Sequence, residues 1–214
     1  MNPLRHDFIA KCKKVHGAPP AHKLRYLDIG CGGGIFAESA ARLPTTESVT
    51  AIDPTPGVLA VAEIHKKKDP ALASKLTYIN TSVEELDNKE PYDIVSVFEV
   101  IEHVNSPASF LDEVDKHVRP GGWLIMSTIA RTWTSWFTTN LMAEDILKIV
   151  PKGTHDWEKY VNCDELAKYF ELKGGWNKPV IQGVIYVPGV GWKEVDGSEK
   201  VGNYFLGVRK DSAA

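Results

Sequence analysis

From Leu24 to Thr128 the chain alternates short apolar runs with longer amphipathic ones. The runs at Leu24–Ile29, 48–52 and Leu76–Ile79 have the length of strands. A β-branched and aromatic run at 93–98 suits a central strand buried on both faces. Between them 33–43, 57–68 and 107–118 carry helical spacing, with Val58, Leu59, Val61, Ala62 and Ile64 expected to face inward. Ser82-Val83-Glu84-Glu85 has capping-box spacing, and Arg119-Pro120-Gly121-Gly122 reads as a turn into a fifth strand at 123–128. Such an alternation specifies a parallel, doubly wound sheet. Later the pattern changes, and Val180–Val187 and 204–208 read as an antiparallel hairpin at the sheet edge. The expectation is an α/β fold: one domain over 1–214, a mostly parallel seven-stranded sheet, and a helical insertion after strand five, at about 131–155.

With 214 residues and 43% hydrophobic composition, the chain is long enough to bury one sizeable core. A net charge of -3 argues against a nucleic-acid partner held by bulk electrostatics. Cys12, Cys31 and Cys163 are widely spaced and form no CxxC pair, so neither a zinc site nor a disulfide framework is expected. No apolar run is long enough to span a membrane. The chain opens on Met1-Asn2-Pro3, already close to helical sequence and with no transit-peptide pattern, which is expected of a start shortened by processing or trimming.

The candidate chemistry begins where the first strand ends, in LDIGCGGGIFAE. A dinucleotide-binding turn needs GxGxxG; Gly30 and Gly32 supply the first two glycines, but Ile35 stands at the third. A ligand without a pyrophosphate, S-adenosylmethionine, fits better. Asp28 is then placed to orient the loop or meet the ammonium group, and Asp53 to accept from both ribose hydroxyls. Both lie at carboxyl ends of strands, where open α/β sheets bind ligands.

Directly after the central strand come Glu99, Glu102 and His103. Residues three and four apart share a face of a helical turn, and carboxylate oxygens with open positions suit Mg2+. A ligand oxygen that completed such a shell would have its pKa lowered. His103 is alternatively a general base, and His155 is a second candidate. Further on, Trp133, Trp136, Phe137, Leu141, Met142, Ile146, Leu147, Ile149 and Val150 crowd into 133–150, flanked by Lys148 and Lys152. They make either a buried helical hairpin or a lid whose apolar face meets a membrane.

LDIGCGGG, Asp53, FEVIEHV (98–104), RPGG (119–122) and VPKGTHD (150–156) together resemble the ubiquinone-biosynthesis O-methyltransferases. The stretch SWFTTNLMAEDILKIVPKGTHDWEKYVN is similar to their mitochondrial branch. The resemblance implies a Rossmann-like class I methyltransferase that methylates polyprenylated catechols or demethylubiquinols, with S-adenosylmethionine as donor and Mg2+ bound at the EHV motif. It places donor contacts on Arg5, Gly30, Asp53 and Phe98. It also implies the matrix side of the mitochondrial inner membrane, held peripherally, and membership of a coenzyme Q biosynthetic complex. Ala130 stands where the family usually has an asparagine, so no amide contact is carried over there. Two other readings remain: a non-catalytic quinone- or lipid-binding subunit that keeps the fold, and an NAD-dependent oxidoreductase, disfavoured by Ile35.

Overall fold

All seven residues of β4 (Tyr92–Phe98) are buried, and the strand lies between β1 (Leu24–Ile29) and β5 (Val118–Ile129), parallel to both. Its side chains alternate between two cores. Val95 and Val97 pack with Leu27, Leu124 and Met126, while Ile94 and Phe98 pack with Tyr26, Trp123 and Ile125. The continuous apolar run is thus two interleaved half-patterns, one for each face of a covered parallel sheet. The computed structural model describes residues 1–18, 23–87, 90–130 and 161–212. The expected insertion at 131–155, the aromatic cluster at 133–150 and His155 lie outside them.

The strand order is β3 (Leu76–Ile79), β2 (Thr46–Ile52), β1, β4, β5, β8 (Asn203–Arg209), β6 (Val180–Val187) and β7 (Gly191–Glu194). β1 to β5 are parallel; β8 runs against β5 and β6 against β8, so β6 points with the parallel strands again. The α/β class and the mostly parallel sheet are as expected. Residues 180–187 and 204–208 do pair antiparallel, but β8 lies inside, between β5 and β6. Among the described residues the sheet has eight strands rather than seven. The extra one, β7, is the four residues GWKE folded back on β6, too short and too polar to show as an apolar run.

Helices α1 (Asn2–His16) and α2 (Ile35–Ala41) cover one face with Phe8, Ile9, Phe36, Ala37 and Ala40. Helices α4 (Pro107–His117) and α5 (Cys163–Lys173) cover the other with Phe110, Leu111, Val114, Leu166 and Phe170. α1 starts with Pro3 in its first turn and ends with Lys13 and Lys14, whose charges suit the C-terminal end of the helix dipole. The capping box is not at Ser82: there Leu86 N–H donates to the Val83 carbonyl in a turn. It is at Asn162 and Glu165, where it opens α5, a helix the periodicity did not reveal. α3 (Pro56–Lys66) buries only Leu59 and Ala62; Val61 and Ile64, expected inside, are 47% and 55% exposed. It lies beside the edge strand β3, whose own side chains are only partly buried and give it a narrow surface to cover. The RPGG segment is absorbed into β5 as an irregularity, with the β4–β5 register shifting between Tyr92 and Ile94.

Candidate active site

The carboxyl ends of β1, β2, β4 and β5 meet at one edge, where open parallel sheets bind ligands. The glycine turn after β1 is tied there to the end of β2. Gly30 and Cys31 N–H both donate to the Ile52 carbonyl at 2.8 and 3.0 Å, and Gly32 N–H donates to Asp53 Oδ2 at 3.0 Å. Gly30 has φ 67°, and a Cβ on it would run into the Val100 side chain. Gly34, at the start of α2, has φ 82°, and a Cβ there would strike the Tyr78 hydroxyl. Both positions therefore demand glycine. Ile35 is 67% exposed, so no close helix–strand approach asks for the third glycine of a dinucleotide turn.

Asp28 faces Ser96 across the β1–β4 pair, and the Ser96 hydroxyl donates to its Oδ1 at 2.6 Å. Burial first, and then Asp53, push the Asp28 carboxyl up to about 6, against the opposing pull of Ser96 and Arg5. Arg5 reaches the same place from α1, its guanidinium 4.4 Å from the Phe98 ring centroid. Its Nε is buried and has no hydrogen-bond partner among the described residues. Arg5, Asp28, Gly30, Phe36, Phe98 and Glu99 line a cavity of about 150 Å³.

On the other side of Gly30 is a second cavity of about 130 Å³, walled by Ile52, Thr81, Val83, Val100 and Phe110. Apart from Gly30 none of its residues is a candidate in the sequence; the segment after β3, Ser82-Val83-Glu84-Glu85, shows only capping-box spacing there. Asp53, nearly buried, also accepts from Thr55 N–H at 2.9 Å, and its carbonyl accepts from Asn80 Nδ2. Its carboxylate therefore braces the loop on one side and the entry to α3 on the other, with lone pairs left on both oxygens.

Glu99 is the only non-glycine residue with positive φ among those described, at 57°. Such a conformation costs on the order of 1–3 kcal/mol and persists where the surroundings over-determine it. Here Glu99 N–H donates to the Ser127 carbonyl at 2.9 Å and the Ser127 hydroxyl donates to Glu99 Oε1 at 2.6 Å. The next residue, Thr128, donates to Glu102 Oε2 at 2.8 Å. Burial first, and then the Glu99 charge, drive the Glu102 carboxyl well above the ordinary carboxylate range, and the two side chains hydrogen-bond. The expected trio does not come together: His103 is exposed on the short turn Ile101–His103. Among the described residues no group of three or more His, Cys, Asp or Glu is arranged to hold a metal ion. What assembles is a carboxyl pair on two β5 hydroxyls. Neither Ser127 nor Thr128 was foreseen, because an isolated Ser-Thr at a strand end carries no motif.

The family model described as a methyltransferase domain matches residues 4–174. The mitochondrial ubiquinone biosynthesis O-methyltransferase of Candida albicans is 44% identical over 87% of this chain, which spans 58% of that relative's length. The protein of the same name from Schizosaccharomyces pombe is 40% identical over 100% of this chain and 78% of its own. Among solved structures, magnesium protoporphyrin IX methyltransferase from Synechocystis aligns with a TM-score of 0.66 at 15% identity, over 98% of this chain and 81% of that one. At that identity the likeness is one of fold, and the relation to the fungal proteins is one of descent. The chain belongs to the ubiquinone biosynthesis O-methyltransferase family.

Proposed function

We propose that the protein transfers the methyl group of S-adenosylmethionine to a phenolic hydroxyl of a polyprenylated catechol or demethylubiquinol in ubiquinone biosynthesis. One observation carries this: the Arg5 guanidinium, whose Nε has no hydrogen-bond partner among the described residues, and the Asp28 carboxyl line one cavity. Opposite charges facing one space complement the carboxylate and ammonium of an amino-acid zwitterion, Arg5 as a fork and Asp28 as an acceptor. The neighbouring apolar slot suits a planar adenine, and Asp53 keeps lone pairs for ribose hydroxyls. The names of the fungal relatives supply the substrate class.

The reaction needs little more than alignment. The phenol oxygen attacks the methyl carbon in line, the carbon–sulfur bond breaks, and its electron pair stays on sulfur to leave S-adenosylhomocysteine. The phenolic proton must go to a base. Glu99 lines the donor cavity and its partner Glu102 resists ionisation, so the pair is suited to taking a proton; His103 and His155 are the other candidates. With both carboxyl groups ionised, Glu99 and Glu102 would instead hold Mg2+, which is bound by few carboxylates and keeps several waters. When bound, the ion lowers the phenol pKa.

The prenyl tail keeps such a substrate in a bilayer. Among the described residues no helix is long and apolar enough to cross one. The proposed contact is peripheral, through 133–150, on the matrix side of the mitochondrial inner membrane and within a coenzyme Q biosynthetic complex; the word mitochondrial in the relatives' names supports the compartment. Calorimetry with S-adenosylmethionine, S-adenosylhomocysteine and NAD, followed by a methyl-transfer assay on a short catechol, tests the activity. Binding of NAD alone overturns it. Donor binding without methylation of any catechol favours a non-catalytic subunit.

A further inference from the structure

The first turn of α1 is fastened to α2 chiefly at one oxygen, Ser39 Oγ. Ser39 Oγ donates to the Phe36 carbonyl at 2.8 Å. The same oxygen is 3.0 Å from Asn2 Nδ2, which also lies 3.5 Å from the Ile35 carbonyl, and 2.8 Å from His6 Nε2. A hydroxyl has one proton and two lone pairs; the proton is used on Phe36, so Asn2 and His6 must both donate. His6 therefore carries its hydrogen on Nε2. Burial holds this imidazole below its ordinary value, with the Arg5 and Lys13 charges adding to the shift and Asp7 opposing it, so the ring is neutral near pH 7.

The His6 ring also stacks on Phe36, with centroids 5.1 Å apart and planes at 27°. Phe36 meets Phe98 edge to face at 4.8 Å, and Phe98 carries the Arg5 guanidinium on its own face. Consecutive helix residues point about 100° apart, so one turn of α1 sends His6 to α2 and Arg5 to the donor cavity. The second half of α1 is held separately, by Phe8, Ile9 and Cys12 in the core. Arg5 Nε is buried and has no hydrogen-bond partner among the described residues, so the placement of the guanidinium rests on the Phe98 ring and on the backbone of the first turn.

We infer that His6 is a positioning residue: its bond to Ser39 holds the first turn of α1 so that Arg5 meets the carboxylate of the methyl donor. This rests on the reading of Arg5 given above, and the two can fail separately. His6→Phe keeps the ring over Phe36 and removes the donor; His6→Gln keeps a donor; Ser39→Ala breaks the same contact from α2. Two ligands serve as probes, S-adenosylhomocysteine and methylthioadenosine, which has the nucleoside but no amino-acid end. His6→Phe and Ser39→Ala should each weaken S-adenosylhomocysteine about tenfold and leave methylthioadenosine unchanged, with His6→Gln recovering most of the loss. In turnover the KM for S-adenosylmethionine should rise while kcat holds. In an Arg5→Met background, His6→Phe should cost nothing further. Equal weakening of both ligands, or full additivity with Arg5→Met, overturns the inference and makes His6 a fold residue only. If Arg5→Met does not discriminate between the ligands, the carboxylate reading falls and the inference with it. If Arg5→Met discriminates and His6→Phe does not, the inference falls alone.

Discussion

Asp28 and Ser96 stand level on neighbouring parallel strands, and the Ser96 hydroxyl holds a carboxyl that its buried setting would rather keep protonated. The folded-state pKa, about 6, lies above the ordinary 3.8, so between these values the native state binds the proton more tightly than the unfolded chain. The stabilisation from that proton is complete below about pH 4 and is lost as pH rises through about 6, on the order of 3 kcal/mol in all. Donor affinity should move the other way, because the ionised carboxylate is the form that attracts an ammonium group. Calorimetry with S-adenosylhomocysteine from about pH 5 to 7.5 should show affinity climbing through about 6 in the wild type and flat in Asp28→Asn. A flat wild-type profile would separate Asp28 from the ammonium group.

Asp53→Ala should remove two charge-assisted ribose hydrogen bonds and the brace on Gly32 together. The expected loss in S-adenosylhomocysteine affinity is on the order of 3 kcal/mol, about a hundredfold or more. An unchanged dissociation constant would mean that the ribose sits elsewhere.

Tyr78 has a buried hydroxyl without a hydrogen-bond partner among the described residues, and it leaves no room for a side chain at Gly34. Tyr78→Phe should therefore stabilise the protein by about 1 kcal/mol in denaturant unfolding, since it deletes an unsatisfied polar group. Gly34→Ala should destabilise by roughly 2–4 kcal/mol, from the left-handed backbone and the collision together. Adding Tyr78→Phe to Gly34→Ala should recover part of the collision, since the Tyr78 ring carbon Cζ would still stand 2.8 Å from the added Cβ, and none of the backbone strain. Equal unfolding midpoints for Gly34→Ala with and without Tyr78→Phe would refute the collision.

Excess chelator should abolish catechol methylation and leave S-adenosylmethionine binding intact. Glu102→Gln should weaken the Mg2+ dependence of turnover by about tenfold or more, read from the metal concentration at half-maximal rate. Full activity in chelator removes the metal from the reaction and leaves the proton to Glu99, His103 or His155.

The glycine turn, the two strand-end aspartates and the central strand were legible because each is a local pattern: adjacent residues, one strand end, a fixed spacing. Arg5, Gly30, Phe98 and Glu99 do meet at one cavity. What escaped notice depends on register between distant segments. Ser96 matters because β4 lies level with Asp28. Ser127 and Thr128 matter because β5 overruns the end of β4, bringing Ser127 level with Phe98 and Thr128 beside the residues that follow it. Sequence spacing grouped His103 with the two glutamates, but a three-residue turn does not share faces as an α-helix does, and His103 turns outward. The capping-box spacing at Ser82 opens no helix, because no amphipathic helical run follows it, whereas at Asn162 and Glu165 such a run does follow.

β8 is the last of the described strands in chain order, yet two strands flank it on its outer side, and it is the bridge between the parallel strands and the β6–β7 pair. During synthesis the hydrogen-bonding edge of β5, with Met126 and Ile125 behind it, must wait open until residue 209 has left the ribosome. β6 and β7 emerge earlier and can pair with each other, but have no strand linking them to β5. The β6–β7 pair is therefore joined to the parallel strands only in a late step, and a chain cut short before Asn203 keeps a bare, apolar-backed β5 edge suited to pairing with another copy.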